Sequence, residues 1–191
     1  MKRSPWKREC SNPRRYAFLV NQPHQWTIRR ARTSDIRAIA GLIEPLVEAR
    51  ILLGKDLVVL YEAVQEFTVA QAPTGEILGC GALHVFWENL GEIRTLAVSP
   101  EHLGQGIGTA LVSALEEQAR DLGLTTLFCL TFEVDFFSHH GYHEVDDQVV
   151  DPEVYVELVR SPDEGVAEFL DLARVKPNTL GNARMLKTLS H

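Results

Sequence analysis

Residues 91–123 read GEIRTLAVSPEHLGQGIGTALVSALEEQARDLG, and the order of residue types in this stretch decides the fold class. A β-rich run, Ile93-Arg94-Thr95-Leu96-Ala97-Val98, breaks at Ser99-Pro100 and crosses a glycine-spaced loop, Gly104-Gln105-Gly106-Ile107-Gly108. Apolar residues at Ile107, Leu111, Ala114, Leu115, Ala119 and Leu122 then recur at helical spacing and stop at Gly123, which predicts a helix closed by a glycine cap. Glycine at 104, 106 and 108 removes the Cβ atoms that would hold a ligand off the backbone, and the helix start presents N–H groups without intrahelical partners. A phosphate group suits that place. A Walker loop would end in Gly-Lys-Ser/Thr, whereas Gly108 is followed by Thr109-Ala110, and a dinucleotide fold would set GxGxxG early in a βαβ unit. On spacing alone, an ordinary glycine turn before a helix stays open.

Outward from this unit, strands and helices are interleaved. Trp26 to Ala31 predicts a first strand, and Thr33 or Ser34 is placed to cap a helix carrying Ile36, Ile39, Ala40 and Ile43 on one face, ended or kinked at Pro45. Leu57, Leu60, Tyr61 and Val64 form a second amphipathic stripe. A hairpin follows, from Phe67 to Ala70 through a turn at Pro73-Thr74-Gly75 to Glu76 to Val85. Beyond the glycine loop, Thr125 to Thr131 reads as a buried strand and Asp135 to His140 as a short helix stopped by Gly141. Asp151-Pro152-Glu153 starts a helix into Val154 to Val159, Gly165 to Ala173 predicts another, Pro177 and Gly181 bound a loop, and Met185 to Leu189 predicts a last strand. This order predicts an α/β (α+β) sheet with helices on both faces.

At 191 residues the chain is long enough for one domain with a real core. No apolar run approaches a membrane span and no signal-peptide core follows the basic start, so a soluble, cytoplasmic protein without a membrane partner is expected. Residues 1–24 carry six basic side chains against Glu9, a net of +5, while the whole chain carries −7, so the remainder bears −12. An acidic body does not suit nucleic acid as a partner, and residues 1–24 are expected to form a disordered basic arm. Cys10, Cys80 and Cys129 lack metal spacing, and His139, His140 and His143 have no carboxylate or cysteine to complete a ligand set, so no metal is expected.

Residues 96–112, LAVSPEHLGQGIGTALV, resemble the acetyl-CoA signature of the GNAT N-acetyltransferases, in which Arg/Gln-x-x-Gly-x-Gly/Ala follows a strand ending in Val-x-Pro. The resemblance spans about residues 27–147, and Phe136-Phe137-Ser138-His139-His140-Gly141-Tyr142 is similar to the family's FYxxxGF segment. Within that superfamily the chain is most similar to the acetyltransferase domain of bacterial N-acetylglutamate synthases, particularly the short actinobacterial form. Ile28-Arg29-Arg30-Ala31, Asp35-Ile36, Leu42-Ile43-x-Pro45-Leu46, Ile51-Leu52, Gly79-Cys80-Gly81-Ala82-Leu83, Gly91-Glu92 and Leu127-Phe128-x-Leu130-Thr131 carry that likeness.

The resemblance implies one GNAT domain over residues 25–191, with a mixed central sheet that splays beside Glu92 to Val98. It implies acetyl-CoA as co-substrate, its pyrophosphate on the backbone of Leu103, Gly104, Gln105, Gly106, Ile107, Gly108 and Thr109, and its pantetheine pairing with Leu96, Ala97 and Val98 like an added strand. Leu103 departs from the family's Arg or Gln, losing a charge-assisted phosphate contact but not the backbone amides. Phe137 stands where many members have the tyrosine that protonates the leaving thiolate, so the acid is unassigned. The implied activity is acetyl transfer to the α-amino group of L-glutamate, at the entry to arginine biosynthesis, by direct attack through a tetrahedral intermediate with a backbone N–H near Val98 as oxyanion donor. Acetylation of another amine or a protein N-terminus, and a non-catalytic acyl-CoA-binding module, are the alternatives. A small-molecule amino acid is the expected partner, and relatives of this kind are often homodimers.

Acetyl transfer needs a neutral amine, hence a base. Glu92 and Glu66 are the two candidates. Strand alternation would set Glu92 on one face with Arg94, Leu96 and Val98. An acceptor rich in carboxylates calls for cations, and the resemblance offers Arg29 and Lys55, with Arg94 as a relocated positive charge. Glu133, where relatives have a basic or neutral residue, favours a neutral amide, so L-glutamine rivals L-glutamate as acceptor.

Overall fold

Alternating apolar residues between Phe67 and Val98 drive three neighbouring strands into the middle of a sheet, with Val69 and Cys80 wholly excluded from water. The computed structural model describes residues 26–145, 150–170 and 181–190. Within them, seven strands form one sheet in the order β1-β2-β3-β4-β5-β7-β6. They are β1 (Thr27–Arg30), β2 (Phe67–Gln71), β3 (Ile77–Val85), β4 (Leu90–Val98), β5 (Thr126–Thr131), β6 (His143–Glu144) and β7 (Ala183–Thr188). Every neighbouring pair is antiparallel except β4 with β5, which is parallel.

Two layers of helix enclose the sheet, so the expected mixed sheet covered on both faces is present. On one face, α1 (Ile36–Glu48) and α2 (Leu57–Glu62) bury Ile36, Ile39, Ile43 and Leu60 against Val69, Cys80, Ala82 and Ala97. Beside them, α5 (Pro152–Leu158) and α6 (Glu164–Phe169) bury Leu158, Val166 and Phe169 against Phe86, Leu90 and Phe128. On the other face, α3 (Ile107–Asp121) seats Val112, Leu115 and Ala119 on Leu83, Ile93 and Leu127, joined by Phe137 of α4 (Val134–His139).

Several expectations are corrected. Asp35, not Thr33 or Ser34, begins α1 after a single 3-10 turn, because its carboxylate holds both the Arg32 N–H, at 2.7 Å, and the Arg29 guanidinium. Pro45 does not end α1, which continues to Glu48; the carbonyl its ring frees belongs to Gly41, which is exposed and so accessible to solvent. Leu122 points to solvent, 56% exposed, although it continues the apolar stripe of α3. The two-residue β6 was not anticipated. Residues 1–24, Cys10 and Pro177 lie outside the described residues, as does the far end of the helix expected to reach Ala173.

One irregularity governs the site. Ala82 pairs with Arg94 but Cys80 with Ala97, so β4 carries one residue more than β3 across this interval, and Thr95 takes up a left-handed φ of 55°. The bulge reverses the alternation. Glu92 and Arg94 face α1 and α2, whereas Leu96 and Val98 pack with Ile107 and Leu111 of α3 on the opposite side. The expectation that all four share a face fails at this extra residue.

Candidate active site

The parallel pairing of β4 with β5 runs only from Leu90–Glu92 to Thr126–Phe128. Beyond Glu92 the two strands part, and among the described residues the edge of Ile93 to Val98 on that side has no strand partner. The splay implied by the resemblance lies here.

From the far end of β4 the chain enters the glycine loop through a 3-10 turn, Pro100–His102, pinned where the Ser99 N–H donates to the Leu78 carbonyl at 2.8 Å. Gly104 and Gly106 have φ of +75° and +81°, and nothing lies within 4 Å of where a Cβ would project from either. Gly106 is the N-cap of α3 and brings no side-chain cap, and the first intrahelical bond is from the Ala110 N–H to the Gly106 carbonyl at 3.0 Å. The amides of Ile107, Gly108 and Thr109 therefore have no intrahelical acceptor. Ile107 is 1% exposed as a whole residue, its side chain packed with Ala70, Leu78 and Leu111. Leu103 brings no charge, and the Gln105 side-chain amide donates to the Glu101 carbonyl at 3.4 Å. Uncluttered amides at the positive end of a 15-residue helix suit a diphosphate, so the residues present fit the coenzyme the resemblance implies.

On the opposite face, the upstream half of β4 carries a part-buried charge cluster around the buried Glu92. Arg94 donates from one terminal nitrogen to both oxygens of Asp163 at 3.1 Å and from the other to Glu66 at 2.9 Å. Its nearest approach to Glu92 is 3.7 Å. Lys55 lies 3.8 Å from Asp163, and His84 shares a hydrogen bond of 2.8 Å with Glu66. Asp163 also caps α6, accepting the Gly165 and Val166 N–H groups. A Cβ added at Gly165 would stand 3.0 Å from an Asp163 oxygen and 3.3 Å from a Glu92 oxygen, so a larger residue would press on both carboxyl groups.

These contacts separate three carboxyl groups. Burial pushes Glu92 up to about 7, and the nearby Arg94 guanidinium only partly opposes it. Burial also acts on Glu66, but the His84 hydrogen bond and Arg94 outweigh it and hold Glu66 below the ordinary range. Asp163 is likewise held low, its burial outweighed by Arg94 and Lys55. One Glu92 oxygen is buried without a hydrogen-bond partner. A carboxyl group poised near neutrality beside two fixed anions is the arrangement a general base requires.

Of the sequence-predicted residues, Glu92, Glu66, Arg94 and Lys55 are brought together. Arg29 is not among them: its guanidinium is held by Asp35 at 2.7 and 3.0 Å and by Gln71 at 2.8 Å. Arg94, expected as a relocated positive charge for the acceptor, is held by Glu66 and Asp163 and lies 3.7 Å from Glu92. Phe137 is buried in the α3 core, and Tyr142 is buried beside it as a packing residue. His84, Asp163 and Gly165 escaped the sequence reading. For His84 the signal was its place opposite Glu92 in the hairpin register. Among the described residues, no group of histidine, cysteine and acidic side chains could hold a metal ion, and no helix is long and apolar enough to cross a membrane.

Removing Arg94 would leave the buried Glu92 and the part-buried Glu66 and Asp163 without their shared cation. Arg94→Ala is expected to cost roughly 3–5 kcal/mol of stability at neutral pH, and less near pH 4 as the carboxylates take up protons. Urea unfolding at the two pH values checks this; a cost unchanged between them would show that the carboxylates do not depend on Arg94.

The profile of the acetyltransferase (GNAT) family matches residues 48–145. An amino-acid acetyltransferase of Mycobacterium tuberculosis is 57% identical over 164 residues, covering 85% of this chain and 94% of that protein. The chain is also similar to a crystal structure from the same organism in complex with CoA and NLQ, at 56% identity and a TM-score of 0.82 over 86% of this chain and 99% of that one. An N-acetylglutamate synthase from Neisseria gonorrhoeae, complexed with coenzyme A and N-acetyl-glutamate, superposes with a TM-score of 0.71 at 27% identity, over 89% of this chain but only 36% of that one. Its glycine-cleared helix start and parted strands lie within the span these proteins share, and the chain belongs to the GNAT family of acetyltransferases.

Proposed function

We infer that the chain is an acetyl-CoA-dependent amino-acid N-acetyltransferase, acting on the α-amino group of L-glutamate or L-glutamine in the cytoplasm as the first step of arginine biosynthesis. What carries the reading is the joining, on one strand, of a buried carboxyl group poised at about 7 to an unpaired edge that leads into an uncapped helix start. The names of the relatives support the same class of acceptor. Acetyl-CoA supplies the activated thioester. The first-turn amides of α3 hold its diphosphate, the free edge of Leu96 to Val98 orients its arm, and Glu92 takes a proton from the acceptor nitrogen.

Charge balance in the cluster bears on the acceptor. Arg94 and Lys55 are already matched by Glu66 and Asp163, which leaves neither free for a second acceptor carboxylate and favours the neutral amide of glutamine. The test is thiol release from acetyl-CoA with each amino acid in turn. Glutamine and glutamate are expected to exceed all others in kcat/KM by at least about 10-fold, with glutamine ahead. Coenzyme A binding with no thiol release from any acceptor would instead make the chain an acyl-CoA-binding module.

A further inference from the structure

Acetylation of an ammonium group by a thioester yields an amide, a thiol and one proton. The nitrogen gives up two hydrogens; one ends on sulfur, and the other must reach water. Glu92, the base in the reading above on which this inference rests, is 4% exposed with Gly165 close against its carboxyl group, so it meets little bulk water directly. Across the β3–β4 register its partner is His84, on the same face and with its side chain 22% exposed.

The surroundings of His84 fix its chemistry. Glu66 accepts from Arg94 through one oxygen at 2.9 Å and lies 2.8 Å from His84 Nδ1 through the other. An ionised carboxylate only accepts, so Nδ1 carries the hydrogen, and in the neutral ring the lone pair is on Nε2. Phe86, edge-on to the imidazole at 5.4 Å between ring centres, holds the ring in place. The charged groups around it are Glu66 ahead of β2, Glu92 and Arg94 on β4, Lys55 ahead of α2 and Asp163 ahead of α6.

We propose that His84, oriented by Glu66 and set across the strand register from Glu92, is the proton exit of the active site: through a bridging water, Nε2 takes the proton that Glu92 has drawn from the acceptor nitrogen and passes it to solvent. Glu92 returns to its carboxylate and His84 to its neutral form, so both are restored each turnover. The acidic partner stabilises the transient imidazolium, as a carboxylate does for any histidine that shuttles protons.

His84→Asn keeps a donor for Glu66 but cannot titrate. Its kcat is expected to fall by about 100-fold with KM for acetyl-CoA unchanged, and imidazole added to the assay is expected to restore the rate in proportion to its concentration. An unchanged kcat, or a loss that imidazole does not restore, overturns the proposal. In the wild-type protein, nitrogen NMR is expected to show the neutral His84 ring protonated on Nδ1; protonation on Nε2 overturns it whatever the variant does. Wild type that turns over no amino acid overturns the acetyltransfer reading and the relay together, whereas active wild type with an unrescued variant overturns the relay alone.

Discussion

Gly106→Val is expected to raise the dissociation constant for coenzyme A by at least about 100-fold, chiefly by obstructing the helix start that receives a phosphate. Gly106 adopts φ 81° and ψ 2°, a conformation in which a β-branched residue is strained by roughly 1–3 kcal/mol. In the free protein no atom lies within 4 Å of the Cβ position, so backbone strain is the main stability cost. With a diphosphate present, the same atoms occupy the space before the amides of Ile107 to Thr109. Gly123 supplies the control: it lies just past the other end of α3 with φ +82° and equally open surroundings. Gly123→Val should therefore lower the melting temperature comparably and leave coenzyme A affinity intact. Calorimetric titration of both variants decides the matter; equal affinities would show that the loop does not hold the coenzyme.

Glu92→Gln is expected to lower kcat by about 100-fold or more while making the protein more stable at alkaline pH. Burial lifts this carboxyl group from an ordinary 4.5 to about 7, so between those values the folded state binds a proton that the unfolded state has lost. Its contribution to stability is full below the unfolded value and disappears as pH rises through about 7, leaving an ionised group buried at a cost of up to about 3 kcal/mol. Glutamine removes that cost, so the variant's melting temperature should exceed wild type at pH 8 and match it near pH 4. In activity the sign runs the other way: wild-type kcat rises with pH through about 7 as the base ionises, and the variant lacks that limb. Unaltered kcat would remove Glu92 from the chemistry. Lost activity with a melting temperature lowered at pH 8 would mean that the carboxylate holds the fold.

The glycine loop and its helix were legible because their signals are local: spacing of glycines, apolar recurrence and a glycine stop at Gly123. The charge cluster was legible only by halves. Glu92 and Arg94 stand close in sequence, but Asp163 reaches Arg94 from 69 residues away, and no local pattern links an aspartate before a short helix to a strand so distant. His84 sat in a strand that was read correctly, yet its meaning depends on facing Glu92, which needs the hairpin register rather than its existence. Arg29 matched a family position, but nothing in its surroundings announced that Asp35 and Gln71 would hold it. The bulge at Thr95 had no compositional warning, since threonine is a poor residue for positive φ and an ordinary one for strands.

That bulge lets a single strand serve both faces of the sheet. Upstream of Thr95, β4 contributes side chains, and substitutions at 92 or 94 rewrite the electrostatics met by an incoming amine; downstream it contributes mainly main chain, whose spacing is the same for any side chain. Acceptor preference is thereby free to diverge among descendants of this scaffold while the grip on their common donor stays constant.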